Sequence, residues 1–104
     1  MVKVKVERKD YFIQRIVIQD HAGYADAGFD LVCAGVSSIS VGMMNALDQL
    51  IPDVCDFTMR SAYVEIRLKQ RNEQAQLLLE AMLIQLKTLE NNYNSYIKIK
   101  DQEV

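Results

Sequence analysis

From Phe29 to Ile51 the chain carries no lysine or arginine and only two carboxylates, Asp30 and Asp48. Such a segment must find cover, yet its serines, Asn45 and Gln49 make it too polar for a bilayer span. It therefore reads as a helix buried in a soluble domain, apolar on nearly every side and covered over most of its surface. Leu31, Val32, Val36, Ile39, Met43, Ala46, Leu47 and Leu50 follow helical spacing. Gly35 and Gly42 weaken the helix locally and permit close packing. Pro52 ends it, because the residue before a proline is pushed out of the α region.

The flanking segments read as strands and one more helix. Val2, Val4 and Val6 alternate with Lys3, Lys5 and Glu7, the period of a strand with one wet face. Arg8 to Asp10 reads as a turn, and Tyr11 to Gln19 as a second strand closing a hairpin. Asp20 to Gly28 has no sustained apolar period and reads as a loop. Segments 53–59 and 62–68 form a second hairpin turning at Arg60-Ser61. Asn72 is placed to cap a helix running to about Asn91. Its stripe is Ala75, Leu78, Met82, Leu86, Leu89 and Tyr93. Tyr96 to Lys100 alternates again, a short strand before a frayed tail. The order is ββαββαβ, and the fold class expected is α+β: a mainly antiparallel sheet with two helices packed on it, in one domain over 1–104.

Composition narrows the function classes. A net charge of −2 and a pI of about 5.3 argue against a broad phosphate-binding surface, so no direct nucleic-acid partner is expected. Two cysteines, Cys33 and Cys55, are too few for a secreted disulfide framework. There is no C-x-x-C and no Cys/His cluster, so no metal or cofactor is expected. No basic n-region and apolar h-region open the sequence, and a cytoplasmic setting without membrane contact is the expectation. Met43, Met44 and Met82 read as core, as does Cys55.

The residues able to do chemistry are few. His21 is the sole histidine and stands in the loop before the apolar helix. If Asp30 caps that helix, Cys33 falls in its first turn, where the dipole and unpaired N–H groups lower a thiol pKa. A nearby imidazole could take the thiol proton and return it to a leaving amine. Ser37 shares the helix face of Cys33. Each residue also has a plainer reading. A cysteine in an apolar helix is most often a core residue. Asp30 serves as a cap, and its carboxylate works against a thiolate. Ser37 can bond the carbonyl one turn back.

The run His21-Ala22-Gly23-Tyr24-Ala25-Asp26-Ala27-Gly28-Phe29-Asp30-Leu31-Val32-Cys33-Ala34-Gly35-Val36-Ser37 carries a more specific signal. It resembles the signature of the ribosomal-processing cysteine protease family, Prp: G-H-A, a short variable loop, then G-x-D-[IV]-V-C-A-[AG]-x-S. His21, Ala22, Gly28, Asp30, Val32, Cys33, Ala34, Gly35 and Ser37 match, and Leu31 is a conservative variant. The resemblance implies a homodimeric α+β endopeptidase that removes an N-terminal extension from the large-subunit ribosomal protein numbered twenty-seven during ribosome maturation. It implies Cys33 as nucleophile, His21 as general base, and Asp30 and Ser37 as substrate-binding residues. It also implies that the loop between His21 and Cys33 orders around substrate.

One position departs from the pattern: Asp20 stands where the family has glycine. Aspartate is among the less costly replacements for a positive-φ glycine. Near His21 it would raise the imidazole pKa and favour an imidazolium–thiolate pair. Close to a bound peptide it would obstruct or select. The departure keeps a second reading open, a non-catalytic ribosome-associated binding module on the same scaffold.

Overall fold

The computed structural model describes residues 1–20 and 27–104, apart from the side chains of Asp20 and of residues 27–30. The elements are β1 (Val2–Lys9), β2 (Phe12–Asp20), α1 (Ala27–Leu50), β3 (Cys55–Arg60), β4 (Tyr63–Leu68), α2 (Glu73–Asn92) and β5 (Ile97–Glu103). The ββαββαβ order and the α+β class follow the sequence expectation. The five strands form one sheet in the order β3-β4-β2-β1-β5. Every neighbouring pair is antiparallel except β1 and β5, which run parallel.

Alternation sorts the sheet into two faces. Val2, Val4 and Val6 turn inward and are fully buried, while Lys3 and Lys5 turn outward. They join Ile16, Ile18, Ile66, Leu68 and Ile97 in a single core completed by both helices. A bulge interrupts the β1–β2 ladder: Glu7 faces Arg15 and Arg8 faces Ile13, leaving Gln14 as the extra residue. The shift turns Ile13 into the core. The hairpin closes through Asp10 and Tyr11, both at positive φ (51° and 69°), the backbone that a two-residue turn between twisted strands requires.

The bulged end of the sheet is tied to α2 and β5 by polar side chains. The Gln76 amide donates to the Ile13 carbonyl (2.7 Å), and its oxygen accepts from the Ile13 N–H (2.8 Å). Arg8 donates in a fork to Glu80 (2.9 Å twice) and through Nε to Asp101 (2.7 Å). That pairing, with the Val104 N–H donating to the Arg8 carbonyl (2.8 Å), carries β5 to Glu103 where a frayed tail after Lys100 was expected.

The helices depart from expectation in two ways. On α2, Leu79 and Leu83 are buried along with Ala75, Met82 and Leu86, whereas Leu78, Leu89 and Tyr93 sit at the core's edge. The helix is wedged between sheet and α1, so its apolar face is wider than one stripe. Asn72 caps it as expected, accepting from the Ala75 N–H at 2.9 Å. Among the described side chains of α1, burial is confined to a stripe of Val32, Val36, Ser40, Met43, Met44 and Leu47, and Leu31 (54% exposed), Val41 and Leu50 face outward. Six of the twenty residues Leu31–Leu50 are buried, so the expected cover over most of the helix is not supplied by the described residues. The helix meets α2 at Gly35, where a Cβ would lie 3.1 Å from Leu89 Cδ1. Gly42 has no such neighbour within 4 Å.

Candidate active site

α1 starts at Ala27, two residues ahead of Phe29 and four ahead of Leu31, the first helical residue if Asp30 were the cap. Asp30 is therefore a first-turn residue rather than the N-cap, and Cys33 is the seventh residue, in the second turn. A carboxylate in the first turn is favoured by the helix dipole, which removes the need to begin the helix after Asp30. The earlier helix start changes the electrostatics around the thiol. The dipole effect falls off within the first turn, so it contributes less at Cys33 than at a true helix start. The Cβ still leans toward the N-terminal end. His21 lies outside the described residues, as do most of the expected 20–28 loop and the side chain of Asp30.

Cys33 is half-buried and packs against the core's margin. One turn on, Ser37 is exposed; a further turn brings Ser40, which is 1% exposed and donates to the Ser37 carbonyl at 3.3 Å. These side chains and Val41 form one wall of a cleft of about 220 Å³. Ile18 and Val64 from the sheet floor it. The opposite lip is the β3–β4 hairpin end, with Met59, Arg60, Ala62 and Tyr63. The Arg60 guanidinium stacks on the Tyr63 ring at 4.3 Å, and Ala62 holds the turn at φ 58°. The cleft is smaller than a cofactor pocket and suits a side chain or two of a peptide.

Cys33 and Ser37 are thus brought to one cleft, as their four-residue spacing predicts. Ser40 and Val41 stand seven and eight residues after Cys33, so the same periodicity could have found them. The hairpin lip could not be read from the sequence, because it depends on how β3 folds back beside α1. Cys55 lies apart, on β3, and is half-buried at the core's edge. Burial and then the Asp56 carboxylate push its thiol pKa up, the reverse of what a nucleophile needs. Among the described residues no group of three or more His, Cys, Asp or Glu is placed to hold a metal ion.

The family model described as cysteine protease Prp matches residues 1–98. The chain belongs to the cysteine protease Prp family. It is a cysteine protease by that membership. The ribosomal processing cysteine protease Prp of Staphylococcus aureus is 34% identical over 88 residues, spanning 81% of this chain and 82% of that protein. The Prp of Bacillus subtilis is 29% identical over 107 residues, spanning 95% and 96%. Two crystal structures of the S. aureus Prp carry the likeness to the fold. The one with a substrate peptide aligns at TM-score 0.90 with 29% identity, covering 98% of this chain and all of that one. The one with a covalently linked product peptide aligns at TM-score 0.87 with 30% identity over 98% of this chain. On this Prp scaffold Cys33 is half-buried on the cleft wall, one turn beyond the helix start that the motif reading expects for it.

Proposed function

We propose that this protein is an endopeptidase that trims the N-terminal extension of the large-subunit ribosomal protein numbered twenty-seven, with Cys33 as nucleophile and His21 as general base. The observation carrying the reading is that Cys33, the motif cysteine, opens onto a peptide-sized cleft beside Ser37. The names of the relatives and the peptides bound to the S. aureus Prp support it.

In this mechanism His21 takes the thiol proton and the Cys33 thiolate attacks the scissile carbonyl carbon, forming a C–S bond and a tetrahedral oxyanion. Collapse of the oxyanion breaks the C–N bond as the imidazolium gives its proton to the departing amine. His21 then deprotonates a water that attacks the thioester, the C–S bond breaks, and the released thiolate regains its proton. Ser37, on the cleft wall, contacts the bound peptide, and Asp30 organises the same segment. Met59 and Tyr63 face the peptide from the hairpin lip. The exposed Leu31, Val41 and Leu50 of α1 support assembly as a homodimer, whose second subunit would cover apolar surface that one chain leaves open. The setting proposed is cytoplasmic.

Incubation with the precursor ribosomal protein, read by intact mass, tests the assignment. Loss of the extension with the wild type and none with Cys33→Ala is the expected result. Precursor that stays uncut while still binding would place the chain with the non-catalytic reading.

A further inference from the structure

The face of the sheet opposite the helices carries a grid of cations. Lys3 and Lys5 point outward from β1, and the parallel register sets Lys98 beside Lys3 and Lys100 beside Lys5. Neighbouring strands lie about 4.8 Å apart and alternate residues about 6.7 Å apart along a strand, so the four stems rise from a compact rectangle. With Arg15 and Tyr63 they line a shallow hollow of about 500 Å³.

Of these cations Lys5 and Arg15 have carboxylate partners within the fold, and three of the four lysines do not among the described residues. The two carboxylates nearest on that face, Glu7 and Glu65, are engaged: Glu7 by Lys5 (3.2 Å) and Arg15 (3.3 Å), Glu65 by Arg15 and by Arg67 (3.4 Å). Among the described residues Lys3, Lys98 and Lys100 make no ion pair. Three cations without an ion partner among the described residues, Lys3, Lys98 and Lys100, thus share one sheet face of a chain of net charge −2. The acidic average, which argued against nucleic acid, is a property of the whole chain and does not describe this surface.

We propose that this helix-free face docks the phosphodiester backbone of RNA. Lysine is depleted where proteins meet proteins, whereas interfaces with nucleic acid are much more positive and wetter. Among the described residues Tyr63 is the sole aromatic lining the hollow; these residues offer no stacking platform that reads bases, and they engage phosphates without regard to sequence. A second copy placed face to face would set lysine against lysine. The Cys33 cleft lies on the helix side of the sheet and shares only Tyr63 with the hollow, so a backbone docked on the lysines leaves it open to a peptide.

The test is fluorescence anisotropy of the full chain with a labelled oligouridine at two salt concentrations. Four phosphate contacts predict a slope of about −2.8 in log K against log salt, so a fourfold rise in salt weakens binding about 50-fold. Lys98→Ala/Lys100→Ala should halve that slope, leaving a loss of about 7-fold over the same range, while cleavage of a short peptide is unchanged. Absence of binding at low salt, or a variant with the wild-type slope, overturns the proposal. Displacement of the RNA by polyglutamate at equal charge concentration overturns it in favour of an acidic peptide. Tighter self-association of the double variant by sedimentation would show instead that the face is a seam between copies, relieved of repulsion.

Discussion

Replacing Gly35 with valine probes a place where the cysteine-bearing helix touches its neighbour through a missing side chain. A Cβ built at Gly35 meets Leu89 Cδ1 at 3.1 Å and Cδ2 at 3.3 Å, closer than ordinary contact by a few tenths of an ångström. Two effects then compete. Losing a helix-interior glycine stabilises by about 0.8–1 kcal/mol for alanine. Pushing the half-buried Leu89 tip off its rotamer costs about 0.5–1.5 kcal/mol. Gly35→Ala should therefore be neutral within about 1 kcal/mol. Valine adds two branched methyls against the same side chain, and overpacking of this kind costs about 1–3 kcal/mol. A net loss of about 2 kcal/mol should lower Tm by roughly 10 °C in a domain of this size. Urea denaturation of Gly35→Val, Leu89→Ala and the double variant closes a cycle in which the double variant loses at least about 1 kcal/mol less than the summed single losses. Additivity within about 0.5 kcal/mol would mean that the two helices do not meet at this point.

Two further outcomes are expected from the polar ties. Gln76→Leu leaves the Ile13 N–H and carbonyl unpaired beside the bulge, and urea titration should show a loss of about 2–3 kcal/mol; a loss under about 0.5 kcal/mol would mean that other groups take over both bonds. Glu80 titrates below the usual carboxylate range because Arg8 hydrogen-bonds its carboxylate. A folded pKa below the unfolded one stabilises above the unfolded value, about 4.3 for Glu, and that contribution fades as pH falls through the folded value. The side chain is 44% exposed, so the effect is modest. The urea midpoint of Glu80→Gln should trail wild type at neutral pH and converge with it in acid; a gap independent of pH would refute the linkage.

Much of this architecture is legible in the residues because alternation and helical spacing are local signals. Val2, Val4 and Val6 announce their face, and Pro52 announces where α1 stops. What escapes local reading is pairing across the chain. The extension of β5 to Glu103 rests on Asp101 meeting Arg8, and nothing near Asp101 indicates it. The start of α1 was misplaced because Asp30 fits a cap as well as a first turn, and only the fold decides which. That decision moved Cys33 one turn away from the helix end. Apolar residues on every side of α1 suggested a central helix, but periodicity cannot say whether the cover comes from this chain or another. At the cleft, Cys33 and Ser37 were legible as one face, while the Met59–Tyr63 lip depends on a hairpin whose placement is tertiary.

A nucleophilic Cys33 must react faster than Cys55, the chain's other thiol. Iodoacetamide labelling of the folded protein at neutral pH, followed over time by peptide mapping, reads both cysteines in one experiment. Cys33 should alkylate many times faster than Cys55, whose thiol is held up in pKa by burial and by Asp56. Equal slow labelling of the two, or faster labelling of Cys55, would contradict the assignment of Cys33 as the nucleophile.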